Sequence, residues 1–211
     1  MPPARDYADT AMHRPARRLV QLYAGLVLYG ASMALQIRAG LGLDPWDVFH
    51  QGIADRTGLS FGTVVILVGA TVLLAWIPLR QRPGFGTVSN VLVIGIAVDA
   101  ALAALPHAGS GPAAVAMMLG GVGLNGIAGG AYIGAGLGPG PRDGLMTGLV
   151  RRTGRSVRLV RTTIEVAVLA AGAALGGTVG VGTVVYALSI GPIVHAVLPR
   201  LTVAPRAQTV S

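Results

Sequence analysis

The chain has neither cysteine nor lysine among its 211 residues. Without cysteine, structural disulfides and thiolate metal sites are excluded. Without lysine, all sixteen basic residues are arginine, a usage that fits a GC-rich bacterial genome. Charge is scarce, at 11% of residues, where a soluble domain carries about 25%. Enzyme motifs are missing too: no Gly-Lys-Ser/Thr phosphate loop, no His-Glu-x-x-His pair, no Gly-x-Ser-x-Gly elbow. His13, His50, His107 and His195 are scattered without ligand spacing, and Gly40-x-Gly42 and Gly84-x-Gly86 are too short for a dinucleotide fingerprint. No catalytic residue, metal or cofactor is expected. A membrane-embedded enzyme would have no recognisable nucleophile or metal set. Residues 1–18 are polar and Arg-rich, and no small-residue cleavage site follows the first apolar run. That run is expected to stay as a helix and act as its own signal.

What the chain does have is apolar: 53% hydrophobic residues, with 32 glycines and 13 prolines among them. Membrane helices tolerate Gly and Pro better than soluble ones, so the composition predicts an all-α polytopic membrane protein in a bacterial inner membrane. The net charge of +8 comes from arginines that flank apolar runs. That is the positive-inside pattern, not a nucleic-acid surface, and no nucleic-acid partner is expected.

The chain repeats itself. A shift of 96 residues lays 20–105 on 116–201 without a gap, with about 31 of 86 positions identical. Ala39-Gly-Leu-Gly42 returns as Ala135-Gly-Leu-Gly138, Pro45 and Asp47 as Pro141 and Asp143, Arg56-Thr-Gly58 as Arg152-Thr-Gly154, and Gly84-x-Gly-Thr-Val88 as Gly180-x-Gly-Thr-Val184. A span needs about 20 apolar residues. Such runs fall near 19–37, 59–79 and 84–105, and again near 113–134, 159–178 and 181–199. Between the first and second run of each half, 45–57 and 141–153 are too short and polar to span, and read as re-entrant or interfacial half-helices.

The arginines set the topology. With the N-terminus inside behind Arg14, Arg17 and Arg18, the connections holding Arg80 and Arg82, Arg142 to Arg158, and Arg200 and Arg206 all fall inside, as the positive-inside rule asks. Three spans per repeat is an odd number, so the second copy inserts upside down. The expectation is a six-helix bundle of two inverted three-helix repeats, the form of many secondary transporters. It divides into a cytoplasmic tail (1–18), repeat 1 (19–105), an extracytoplasmic connection (106–115), repeat 2 (116–201) and a cytoplasmic tail (202–211). In the alternative, 45–57 and 141–153 both span and the repeat is parallel, which places Arg80 and Arg82 outside.

The Gly-Leu-Gly-x-x-Pro-Trp-Asp turn, the Arg-Thr-Gly segment and the later Gly-x-Gly-Thr turn resemble the YczE/YyaS/YitT group of bacterial integral membrane proteins, most of all its YczE-like branch. The resemblance runs from about residue 19 to 200. It implies a multi-pass membrane protein with at most a transporter-like role, and supplies no catalytic residues. Members of the YitT type often carry a soluble C-terminal domain, which is not expected here.

The chemistry concentrates at the two turns. Asp44 before Pro45 is a good N-cap followed by a good first helical residue, and Asp47 in the first turn suits the helix dipole. In the second copy Gly140 takes the cap, Pro141 follows and Asp143 repeats Asp47, while Arg142 replaces Trp46 and Met146 replaces His50. The aspartates can simply cap. Alternatively, half-helix N-termini fronted by Gly40, Gly42, Gly136 and Gly138 line a solute path, because unwound backbone at membrane depth needs a cavity or a protein cover. Trp46 can equally be an interfacial anchor, and Arg142 an inside charge or the partner of an anionic group.

Inside the spans, Asp99 is matched by His195, and Arg161 stands four residues before Glu165 on one helix face. Such residues are usually functional or paired, so these four are coupling or gating candidates. Asn125, matched by Tyr29, and Gln36, matched by Tyr132, read as helix glue, and the glycines of 120–134 as a close-packing face that also allows a homo-oligomer. Two functions follow. One is a small secondary transporter or permease for an unidentified solute, carried between the two turns. The other is a non-transporting accessory or scaffold protein that meets a partner through its helix faces, which the lack of a polar cavity would favour.

Overall fold

The computed structural model describes residues 15–203. Arg14 and Arg206, and with them most of both expected tails, lie outside the described residues. The described residues form eight helices and no strand: α1 (Pro15–Ala39), α2 (Pro45–Thr57), α3 (Phe61–Trp76), α4 (Phe85–Ala104), α5 (Pro112–Gly134), α6 (Pro141–Thr153), α7 (Val157–Ala174) and α8 (Val181–Leu201).

By length and composition α1, α4, α5 and α8 can each cross a membrane, and α2 with α3, bent by 116° at their break, pass the same test together, as one broken span or as a re-entrant loop. The expected six spans therefore exceed what length and composition alone provide. The α3 helix stops after 16 residues, about 24 Å at 1.5 Å per residue, because Pro78 follows and Arg80 turns the backbone to φ 51°. The α7 helix has 18 residues but carries Arg158, Arg161 and Glu165.

The α1 helix is the core. Leu22, Leu26 and Met33 are fully buried and pack with Phe61, Ile94 and Val98. Its tightest partner is α5, and the contacts are reciprocal. Gly25 lies against Ala128 and Tyr132, and its repeat equivalent Gly121 against Ser32 and Gln36. As residue numbers rise along α1, the α5 residues they meet fall. A side chain at either glycine would collide with its neighbours, the device by which small residues let backbones approach. Most of the α5 glycine face is used inside the chain in this way, Gly126 against Ile193 and Gly134 against Leu201, while Gly120 and Gly123 meet nothing within 4 Å among the described residues.

The repeated motifs are mutual docking pieces. The Gly-Leu-Gly turn of each copy seats on the Gly-x-Gly-Thr start of the other. Gly182 N donates to Leu41 O and Gly86 N to Leu137 O, both at 2.8 Å. Gly42 (φ 112°) and Gly138 (φ 129°) adopt a backbone that L side chains rarely take, and a Cβ at Gly42 would lie 2.6 Å from Gly180 N. Arg-Thr-Gly closes the half-helices. Gly58 and Gly154 are left-handed C-caps, the usual glycine stop. Arg56 Nε donates to Leu175 O at 3.0 Å, and Arg152 Nη1 to Pro78 O at 3.0 Å, each holding the far end of the other repeat's helix.

The α3–α4 pair differs sharply from its counterpart in the second sequence repeat. The α3 and α4 helices are clasped: Asp99 accepts from Ser60 Oγ at 2.6 Å and from Gly62 N at 2.7 Å, and Gly62 packs on Gly95. The equivalent residues of repeat 2 are Ser156, Arg158, Gly191 and His195. There α7 and α8 barely touch, and Gly191 meets nothing within 4 Å among the described residues.

Candidate functional site

The helices α2 and α6 bring their first turns together on the wall of a cavity of about 430 Å³. On α2, Asp44 Oδ1 accepts from Trp46 N at 2.8 Å and Asp47 N at 3.0 Å. This is the side-chain cap expected of Asp before Pro. On α6 the cap is Gly140, which has no side chain to fill the same place. Asp143, in the first turn, instead accepts from Tyr132 Oη at 3.0 Å. A third tie comes from α3, whose Trp76 Nε1 donates to Pro141 O at 3.1 Å.

Arg142 bridges the two turns. Nη1 is 3.7 Å from Asp44 Oδ1 and Nη2 3.7 Å from Asp47 Oδ1, while the guanidinium carbon lies 4.9 Å from the centre of the Trp46 ring. At 3.7 Å these are ion pairs and not hydrogen bonds. Both aspartates are buried, at 1% exposure, whereas the Arg142 side chain keeps 29% and lines the cavity. His50 Nδ1 is 3.1 Å from Asp47 Oδ1, which suits the tautomer with the proton on Nδ1. Asp44 Oδ2 and Asp47 Oδ2 are buried and accept no hydrogen bond among the described residues.

The remaining wall is mainly apolar, from Val65, Val68 and Val72 of α3 through Ile94 to Ile190 and Val194 of α8. Tyr29, Trp46, Tyr132 and Tyr186 add aromatic faces. Tyr186 Oη donates to Asn125 Oδ1 at 3.0 Å, and Asn125 Nδ2 to Ser32 Oγ at 2.9 Å, so a polar chain crosses from α8 through α5 to α1. A mostly apolar pocket with a few convergent polar groups is the usual form of a small-molecule site.

The structure gathers many of the sequence candidates and sets others apart. Asp44, Pro45, Trp46, Pro141, Arg142 and Asp143 line the cavity. Asp47 lies behind Arg142. Gly40, Gly42, Gly136 and Gly138 shape the two turns, and none of the four lines the cavity. Arg161 and Glu165 pair at 2.9 Å and, with His195, line the α7–α8 wall. Asp99 is the clasp residue and is not on the wall.

Tyr186 and Asn90, which the sequence did not single out, also line the cavity, as do Tyr29 and Tyr132, which entered only as counterparts of helix-glue amides. Their signal was present in the repeat. Tyr29 with Asn125, Gln36 with Tyr132 and Asn90 with Tyr186 are equivalent pairs. Each puts hydrogen-bonding groups at one depth in both copies of an otherwise apolar helix, and at least one member of each pair lines the cavity.

No solved structure matches the chain. It is 35% identical over 194 residues to an uncharacterized protein of Haemophilus influenzae, covering 92% of this chain and 89% of that one. It is 34% identical over 181 residues to the uncharacterized membrane protein YczE of Bacillus subtilis, covering 84% of each. A family of unknown function, DUF6198, matches residues 16–199. With that match, these relatives and its apolar helices, the chain is a membrane protein and belongs to the DUF6198 family.

Proposed function

We propose that the chain is a small secondary transporter or permease of the bacterial inner membrane, with both termini cytoplasmic and its solute bound between the first turns of α2 and α6. The observation that carries this reading is the cavity itself, walled by two discontinuous helices whose N-termini meet inside it. That is how many secondary transporters build a midplane site, and irregular backbone at membrane depth needs such a cavity. The reciprocal contacts of α1 with α5, and of each glycine turn with the other repeat, support six spans in two inverted repeats. The short α3 and α7 helices then complete their crossings next to α2 and α6.

The asymmetry of the repeats supports alternating access. The clasped α3–α4 pair is the closed gate and the parted α7–α8 pair the open one. With the arginines inside, the open gate faces the cytoplasm. Exchange of the two arrangements between the repeats turns the cavity outward. The reading assigns no catalytic chemistry to the chain. A scaffold role gains nothing from the cavity.

Purified chain in liposomes tests the reading. Uptake of at least one solute from a panel of labelled amines, amino acids and organic acids is expected, and Asp44→Asn with Asp143→Asn should abolish it. Liposomes that move nothing across the whole panel would leave transport without support.

A further inference from the structure

The cavity is short of positive charge. Asp44, Asp143 and Glu165 line it, with Asp47 behind Arg142, against the two guanidiniums of Arg142 and Arg161. Arg161 pairs with Glu165 at 2.9 Å, so four carboxylates still face two guanidiniums. Unbalanced negative charge is costly in a low-dielectric site, and two of the carboxylate oxygens, Asp44 Oδ2 and Asp47 Oδ2, are buried without a hydrogen-bond donor among the described residues. Asp44 is 1% exposed and lies on the cavity wall.

The aromatic groups point to the same chemistry. Tyr29, Trp46, Tyr132 and Tyr186 all border this cavity, and π-faces attract cations. The chain already holds one cation there: the Arg142 guanidinium sits over Trp46 and beside both aspartates. Arg142 is thus a tethered copy of a ligand that these groups would accept from solution. An anion would meet the opposite field, since Asp143 flanks the α6 N-terminus and Asp44 already fills that of α2.

We infer that the cavity binds a small organic monocation, an amine, quaternary ammonium or guanidinium compound with an apolar body. It binds by displacing Arg142 from the Asp44–Asp47–Trp46 seat. This rests on the proposed transport site and specifies its substrate class. Arg142 is the competitor that re-forms the seat when the cation leaves. A cavity of about 430 Å³ is large enough for a compound of this kind and its apolar groups.

The test uses full-length protein in detergent, with thermal unfolding and tryptophan emission read against tetraethylammonium, benzyltrimethylammonium and guanidinium chlorides, with sodium chloride and sodium benzoate as comparisons. Saturable stabilisation by the organic cations is expected, with no matching effect of sodium or benzoate. Asp44→Asn should weaken it by about tenfold or more. Arg142→Gln should tighten it, because the internal competitor is gone. If that variant does not fold, Arg142→Lys serves, and its weaker hold on Trp46 should likewise tighten cation binding. Asp55→Asn, exposed on α2, should change nothing.

Stabilisation by benzoate that Arg142→Gln or Arg142→Lys weakens would overturn the inference in favour of an anion. So would a response to sodium or protons alone. Cation binding without flux in liposomes would sink transport and leave the site. Flux of organic acids without cation binding would sink the cation and leave transport.

Discussion

Arg142 lies over the ring of Trp46, 4.9 Å from guanidinium carbon to ring centre, and the two residues occupy the same place in the two repeats. The inverted reading puts their half-helices on opposite sides of the membrane, yet their first turns touch. Labels at these two positions cannot report sidedness. The far ends of the half-helices can. In this cysteine-free chain, Arg56→Cys should react with a membrane-impermeant maleimide only from outside and Arg152→Cys only from the cytoplasm. Reaction of both from one face would exclude the inverted repeat.

The glycine turns are docking joints, which separates two glycines that look alike in sequence. Gly40 (φ 66°) has open space around it, so Gly40→Ala should cost only the left-handed backbone, about 1 kcal/mol. Gly42→Ala adds a methyl that meets Gly180 and Thr183. It should cost about 1–3 kcal/mol beyond the backbone penalty. Thermal unfolding in detergent orders the two. Equal losses would mean that the close approach of the repeats contributes little.

Trp76 is 2% exposed and packs on Gly144, with its Nε1 bonded to Pro141 O. Its repeat equivalent is Gly172, which lies directly against the α2 backbone. One indole thus fills on the α3–α6 side the space that close backbone contact removes on the α2–α7 side. Trp76→Ala should destabilise by about 3–5 kcal/mol. Trp76→Phe keeps most of the volume and loses one hydrogen bond to Pro141 O, at about 0.5–1.5 kcal/mol. A neutral Trp76→Ala would show that α6 is held by other contacts.

Much of this was legible in the sequence, because duplication exposes what composition hides. The 96-residue shift marks the turns, the caps Asp44 and Gly140, and the Arg-Thr-Gly stops, and all of these are local backbone devices with local signatures. The partners of those motifs were not legible. Nothing in Gly84-x-Gly-Thr says that it receives Leu137, since pairing between repeats is a matter of tertiary geometry. The same limit placed Asp99 among the gating candidates without showing that its carboxylate accepts from Ser60 and Gly62. The shortness of α3 was visible in Pro78, but a hydropathy window runs past a proline that ends a helix.

The clasp makes the final prediction. Asp99 ties α4 to the start of α3 through Ser60 Oγ and Gly62 N, and its equivalent in the parted pair is His195. If the clasp closes the outer gate, removing it should shift the population toward the outward-open form. Hydrogen bonds to a charged group contribute about 1.5–3 kcal/mol each, so Asp99→Ala should raise outward opening by about tenfold or more. Ser60→Ala, which leaves the Gly62 bond, should do less. Val68→Cys on the cavity wall reports it. With Asp99 present it should react from the cytoplasmic side, and with Asp99→Ala also from outside. Unchanged sidedness in a folded Asp99→Ala protein would make Asp99 a plain helix cap and leave the α7–α8 gap without a partner gate.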